Sequence, residues 1–270
     1  MRELWHLLLY QPLVNALIFL YQLLFHNFGL AIIVLTVGIR LLLLPLTQSS
    51  MKATNKMKEL APELEKLKKK YGKDKQAYTK AQMDLYKKHG ANPAAGCFPQ
   101  IIQLIVLIAL YQAFIQVLRI DGDVIQKLNE ILYSQLRLPV ETVINTKFLY
   151  LDLAKPDVFP IAGLPFPLPG FFLLAAALSQ LISSKMMMPA LATAQKEAAK
   201  TPGKADDMAT SMQTQMTYLF PLLTILIGYS FPSGLVLYWS AFSLIMIIQQ
   251  YFIGGWGGVE PWLKKLKIKK

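Results

Sequence analysis

Apolar residues in this chain gather into long runs separated by lysine-rich or proline-rich stretches, and that alternation predicts nearly all of its architecture. A membrane-crossing helix needs about 20 apolar residues, so 28–50, 97–118, 171–188, 214–230 and 234–253 are expected to be five transmembrane helices. Residues 4–25 are apolar enough to cross as well, but Pro12 interrupts them and Gln11, Asn15 and Gln22 recur along them. A helix lying in the outer interface over 1–27 is the preferred expectation, with a sixth span as the alternative. A cleaved signal peptide is disfavoured, because the apolar region is long and no small-x-small site follows it.

Between the first two runs the pattern inverts. Residues 51–92 carry twelve lysines against five acids and no long apolar run. Met57, Leu60, Leu64, Leu67 and Tyr71 step by threes and fours, giving one apolar helical stripe amid Lys and Glu. Pro62 suits a first helical turn, Gly72-Lys73-Asp74 is a turn signal, and Tyr78, Ala81 and Leu85 continue the spacing until Gly90 ends it. A basic two-helix hairpin over 51–96 is expected. Residues 119–170 hold several prolines and lack a positive bias, 189–213 are polar with Lys196, Lys200 and Lys204, and the tail 254–270 is cationic again. With five spans every lysine-rich segment falls on one side, so the positive-inside rule puts the N-terminus outside and the C-terminus in the cytoplasm. The expected fold is an all-α polytopic membrane protein with a five-transmembrane-helix core, a cytoplasmic hairpin and an N-terminal interfacial helix.

Composition narrows the function classes. A net charge of +12 on 270 residues would suit nucleic acid, but 54% of residues are hydrophobic and the lysines crowd beside apolar runs. One cysteine excludes an internal disulfide, and His6, His26 and His89 are too scattered to hold a metal. Ala94-Ala95-Gly96-Cys97 imitates a lipidation box, but cleavage there would discard the first span and the hairpin. No phosphate-binding glycine loop or catalytic triad occurs, so no enzymatic turnover, cofactor, metal or small-molecule substrate is expected.

One charge stands against the pattern. Arg40 is the only Asp, Glu, Lys or Arg between Leu4 and Met51, and no acid lies in any of the five runs. A central arginine costs from about 2.5 to above 10 kcal/mol. Snorkelling to the lysine-rich side would require it to reach past Ser50, about 15 Å along a helix. Thr36, four residues earlier, shares its helical face. Gln100 and Gln103, Ser179 and Ser183, and Ser243 add polar side chains to other runs, where such groups commonly join helices. Together they predict a wet recess around Arg40, whose counter-ion comes from outside the bundle. A channel or transporter with Arg40 as an anion-selective site is the alternative, and a purely structural scaffold a third reading.

In this setting Asn27-Phe28-Gly29-Leu30, Arg40 with Leu44-Pro45-Leu46-Thr47, Tyr86 to Pro93 running into Gly96-Cys97-Phe98-Pro99, Phe148 to Asp157, and Phe231-Pro232-Ser233-Gly234 to Trp239 occur in order. The chain thereby resembles the YidC/Oxa/Alb family of membrane protein insertases, in the bacterial form without a large extracytoplasmic domain. Ile105 and Ser243 depart from the family's common Pro and Asn. The resemblance implies a hydrophilic groove open to cytoplasm and lipid. Arg40, Thr36, Gln103 and Tyr238 match its lining. It also implies nascent membrane proteins as clients in the bacterial inner membrane, and the Sec translocon and ribosome as partners. Lys66, Lys68, Lys69, Lys70 and Lys73 of the hairpin are then candidates for cytoplasmic capture. Lys264, Lys265, Lys267, Lys269 and Lys270 are candidates for contact with ribosomal RNA or lipid.

Overall fold

A computed structural model describes residues 2–71, 74–91, 98–118, 124–163, 165–187 and 205–265. Lys73, the 94–97 box, most of the 189–213 loop, Lys267, Lys269 and Lys270 lie outside them.

The chain opens with α1 (Arg2–Trp5), a π-helical turn (His6–Tyr10) and α2 (Gln11–Leu23). Pro12 has no N–H to give the preceding turn, and the wider π turn sits directly before it. Helix α3 (Phe28–Leu42) follows, then α4 (Leu44–Glu59). The expected span 28–50 is therefore interrupted at Leu43. Pro45 explains the interruption, since it offers no N–H to the Leu41 carbonyl and its ring crowds that oxygen. Helices α5 (Ala61–Tyr71) and α6 (Lys75–Lys88) pack as a hairpin. Pro62 sits in the first turn of α5, and Asp74 caps α6 by accepting from the Gln76 and Ala77 amides at 3.0 and 3.1 Å. Leu60 and Tyr78 are buried, and left-handed Gly90 follows the end of α6.

Helix α7 (Phe98–Leu118) leads to the short α8 (Val124–Ile131) and a loop carrying two small antiparallel hairpins. Strand β1 (Lys147–Phe148) pairs with β2 (Leu151–Asp152), and β3 (Val158–Phe159) pairs with β4 (Leu168–Pro169). Helices α9 (Phe171–Met187), α10 (Ala205–Gly228), α11 (Ser233–Gly254) and α12 (Glu260–Lys265) complete the chain. Among the described residues, Glu3–Leu23, Ile101–Leu118 and Ser233–Gly254 are long and apolar enough to cross a membrane, with a fourth span if the interrupted pair counts as one. Phe171–Met186 and Thr217–Gly228 are shorter apolar helices. The protein is an all-α polytopic membrane protein.

The chain forms two compact units, one of residues 1–42, 101–179 and 222–245, the other of 43–100, 180–221 and 246–270. In the first, Val14, Leu17, Ile18 and Tyr21 line one face of α2 and pack with Phe28, Ala31, Ile32 and Leu35 of α3. Tyr21 meets Phe28 edge-on at 5.8 Å between ring centroids, and Phe28 meets Phe114 at 6.4 Å. Buried Asn15 fastens the loop after α8, accepting from the Tyr133 amide at 2.6 Å and donating to the Ile131 carbonyl at 3.1 Å.

The loop is stitched to the helix starts by backbone groups that have no intrahelical partner. The Ser233 amide donates to Lys155 O at 2.7 Å and the Gly234 amide to Leu153 O at 3.1 Å, while Ser233 Oγ donates to Asp152 O at 2.9 Å. Asp157 is buried and caps α9. Its Oδ2 accepts from the Leu173 amide at 2.8 Å, its Oδ1 from the Tyr150 hydroxyl at 2.9 Å, and its carbonyl from the Gly170 amide at 2.8 Å. A Cβ on Gly170 would strike that carboxylate, which is why the helix begins on glycine.

A buried arginine under an aromatic ring

Helix α3 shows two faces. Leu30, Val34, Val37 and Leu41, stepping four, three and four, are exposed, whereas Phe28, Ala31, Ile32, Leu35, Thr36 and Arg40 are buried. Arg40 thus points inward, as its spacing from Thr36 requires, and is only 3% exposed. The Phe242 ring of α11 lies over the guanidinium, 4.0 Å from Cζ to the ring centroid. Buried Nε and Nη2 have no hydrogen-bond partner, and among the described residues no carboxylate pairs with Arg40. The break at Leu43 leaves Arg40 in the last turn of α3, where carbonyls freed at the helix end favour a cation.

Two further candidates connect to this group. Gln103 on α7 donates through Nε2 to the Tyr238 hydroxyl at 2.8 Å, and Tyr238 is 1% exposed. One turn on, the Phe242 ring lies 6.0 Å from that of Tyr238. A continuous series of contacts therefore runs Gln103, Tyr238, Phe242, Arg40. Thr36 is buried beside Arg40 in sequence, but its hydroxyl donates back to Ile32 O at 2.7 Å. Ser179 and Ser243 are buried in the same unit. On one side, then, the Arg40 guanidinium is covered by the Phe242 ring.

The remaining candidates belong to the second unit. Ser183 is buried and its hydroxyl donates to Gln180 O at 3.0 Å. Gln100 lies in the first turn of α7, and its side chain is outside the described set. Lys66, Lys69 and Lys70 are exposed on α5. The side chains of Lys68, Lys264 and Lys265 also fall outside the described set. Among the described residues no His, Cys, Asp or Glu cluster forms a metal site.

Sequence reasoning missed Phe242. Its signal was the four-residue step from Tyr238, a spacing that aromatic residues in membrane helices show without special meaning. The aromatic partners of a second cation at a span end were not legible either. Lys185, at the end of α9, donates to the Tyr218 hydroxyl at 2.9 Å and sits 3.8 Å from the centroid of the Trp262 ring of α12.

The family described as 60Kd inner membrane protein matches residues 19–256. A membrane protein insertase YidC of Fusobacterium nucleatum is 37% identical over 84% of this chain and 86% of its own length. The YidC of Alkalihalophilus pseudofirmus is 34% identical over 92% of this chain and 81% of its own, and the insertase MisCA of Bacillus subtilis 30% over 93% and 79%. The YidC of Geobacter metallireducens is longer, and this chain spans 37% of it. With the family's pattern running through α3, the buried Arg40 and α11, this chain belongs to the 60Kd inner membrane protein family, the YidC/Oxa group.

Proposed function

We propose that the chain is a membrane protein insertase that receives a polar segment of a nascent protein at Arg40 and passes the neighbouring apolar helix into lipid. One observation carries this reading: a guanidinium is held among apolar and aromatic groups with two of its donor nitrogens unpaired. A buried donor without an acceptor costs about 1–3 kcal/mol. A client carboxylate would satisfy both donors at once and exchange an unfavourable state for a charge-assisted hydrogen bond. The Phe242 ring must move aside for this, so it acts as a cover on the charge.

The polar side chains of Thr36, Gln103, Tyr238, Ser179 and Ser243 line the client's path as a hydrophilic groove open to cytoplasm and lipid, and Gln100 and Ser183 are further polar candidates for contact with the client. Once the polar segment is through, burial of the client's apolar helix drives release, at about 0.3–0.6 kcal/mol per large apolar residue. The protein resides in the bacterial inner membrane with its N-terminus outside and its C-terminus in the cytoplasm. The α1–α2 stretch lies along the outer interface. The hairpin lysines capture emerging client or anionic headgroups, at about 1 kcal/mol each near the surface. The basic tail meets ribosomal RNA or lipid, and the Sec translocon is a partner.

The test is substrate charge. Single-span clients whose translocated segment carries two aspartates, or two asparagines, are inserted by the wild-type chain and by Arg40→Ala in reconstituted vesicles. The aspartate client should lose at least several-fold more insertion than the asparagine client. Equal losses would remove charge attraction from the mechanism.

A further inference from the structure

Among the described residues three that are not glycine hold a left-handed backbone: Phe25 (φ 55°), His26 (φ 58°) and Leu149 (φ 52°). Phe25 and Leu149 are large apolar residues, 92% and 77% exposed. Neither choice suits water. Left-handed positions favour Gly or Asn, and the two-residue tip between β1 and β2, Leu149-Tyr150, stands where Asn-Gly is the common solution. Strained backbone here carries apolar side chains outward, a pattern that points to function.

The fold brings both tips to one end of α3. Phe25 lies in the turn joining α2 to α3, three residues before Phe28. Strand β1 packs on the first turn of α3, where a Cβ on Gly29 would run into the Phe148 ring, and Leu149 follows Phe148. Two exposed apolar stripes start at the same helix ends: Leu30, Val34, Val37 and Leu41 on α3, and Phe171, Leu174 and Leu178 on α9. Tyr150 stacks on Phe159 with centroids 5.6 Å apart and contacts Phe172 at 5.9 Å, which gives the aromatic belt expected where membrane helices meet headgroups. The Lys147 side chain, 74% exposed, adjoins the tip and suits lipid phosphates.

We propose that Phe25 and Leu149 form a two-pronged anchor inserted into the headgroup–acyl boundary of the leaflet at the Phe28 end of α3. The occupant is lipid, because the prongs continue the stripes that α3 and α9 turn toward the bilayer. The anchor requires that these helices cross the membrane. It does not depend on Arg40 or on client insertion.

Depth-dependent quenching tests it. A full-length Cys97→Ser chain with Phe25→Cys or Leu149→Cys, or with Glu141→Cys or Lys155→Cys as polar controls, is labelled with an environment-sensitive nitrobenzoxadiazole probe. It is then placed in phosphatidylcholine–phosphatidylglycerol vesicles. Probes at 25 and 149 should lose at least half their emission to shallow spin-labelled lipid and resist aqueous iodide, with the reverse at 141 and 155. Iodide quenching at 25 and 149 equal to that at 155 overturns the anchor. Protection from both quenchers also overturns it, since protein would then cover the prongs. Hydroxyl-radical footprinting of the unaltered chain in nanodiscs reads the same point without substitution: Phe25, 92% exposed against 46% for Tyr133, should still oxidise several-fold more slowly. Oxidation of Phe25 at or above the Tyr133 rate contradicts the anchor.

Discussion

Replacing Arg40 by Met should stabilise the protein while impairing insertion of acidic clients. Two buried donor nitrogens without partners cost about 1–3 kcal/mol each, hence about 2–6 kcal/mol together. The Phe242 ring at 4.0 Å returns about 2 kcal/mol for a desolvated cation, and the C-terminal end of α3 about 0.3–1 kcal/mol. Set against the middle of that cost, about 4 kcal/mol, the balance is a net cost of about 1 kcal/mol, and Met fills the space of the arginine stem without leaving a cavity. For a chain of this size that corresponds to a rise of about 3 °C in Tm. Thermal unfolding of both chains in one detergent measures it, with vesicle insertion of an aspartate-bearing client run in parallel. A Tm that falls by several degrees would show that the guanidinium is bonded into the fold. An unchanged insertion rate would show that it has no part in transport.

Gly170→Ala should destabilise the loop and the start of α9 by about 2 kcal/mol, since its Cβ displaces the Asp157 carboxylate from the Leu173 amide and a charged buried bond is worth about 1.5–3 kcal/mol; hydrogen exchange at Leu173 checks it, and unaltered protection would contradict it. Trp262→Leu removes the ring over Lys185, worth about 1 kcal/mol, and should free α12, read as faster tryptic cleavage at Lys264 and Lys265. Asp152 supplies a pH dependence. Burial pushes its carboxyl up, but the Thr146 hydroxyl, the Ala154 amide and Lys147 and Lys155 outweigh burial and hold it below the usual carboxylate range. A depressed folded value stabilises above the unfolded value near 3.9 and is lost as pH falls through the folded one. Protease resistance of the 140–160 loop should therefore be flat from pH 7 to 5 and drop below pH 4, and Asp152→Asn should abolish that dependence.

The fold class was legible because a bilayer imposes a length on every apolar run, and the runs in this chain are long and well separated. The inward direction of Arg40 was legible too, since Thr36 and Arg40 are one helical turn apart. Pro45 was in plain view, yet 28–50 read as one span; a proline in a membrane helix can kink or break it, and only the packing around Leu43 decides which. The Phe242 cover and the bond between Gln103 and Tyr238 join residues more than a hundred positions apart, and no local periodicity encodes such pairs. The loop was least legible. Much of its order rests on backbone amides of Ser233, Gly234 and Gly170 meeting carbonyls of Leu153, Lys155 and Asp157, and such bonds leave no periodic mark on the side-chain pattern.

The central claim is that a client's polar segment comes to the face that carries Arg40. A photo-reactive amino acid placed in turn at Thr36, Gln103 and Tyr238, with Leu104 and Phe252 as exposed controls, is illuminated during ribosome-stalled translation of a single-span client. Adducts to the translocated segment at 36, 103 and 238, weakened several-fold by Arg40→Ala when that segment is acidic, are the predicted result. Adducts confined to 104 and 252 would contradict it.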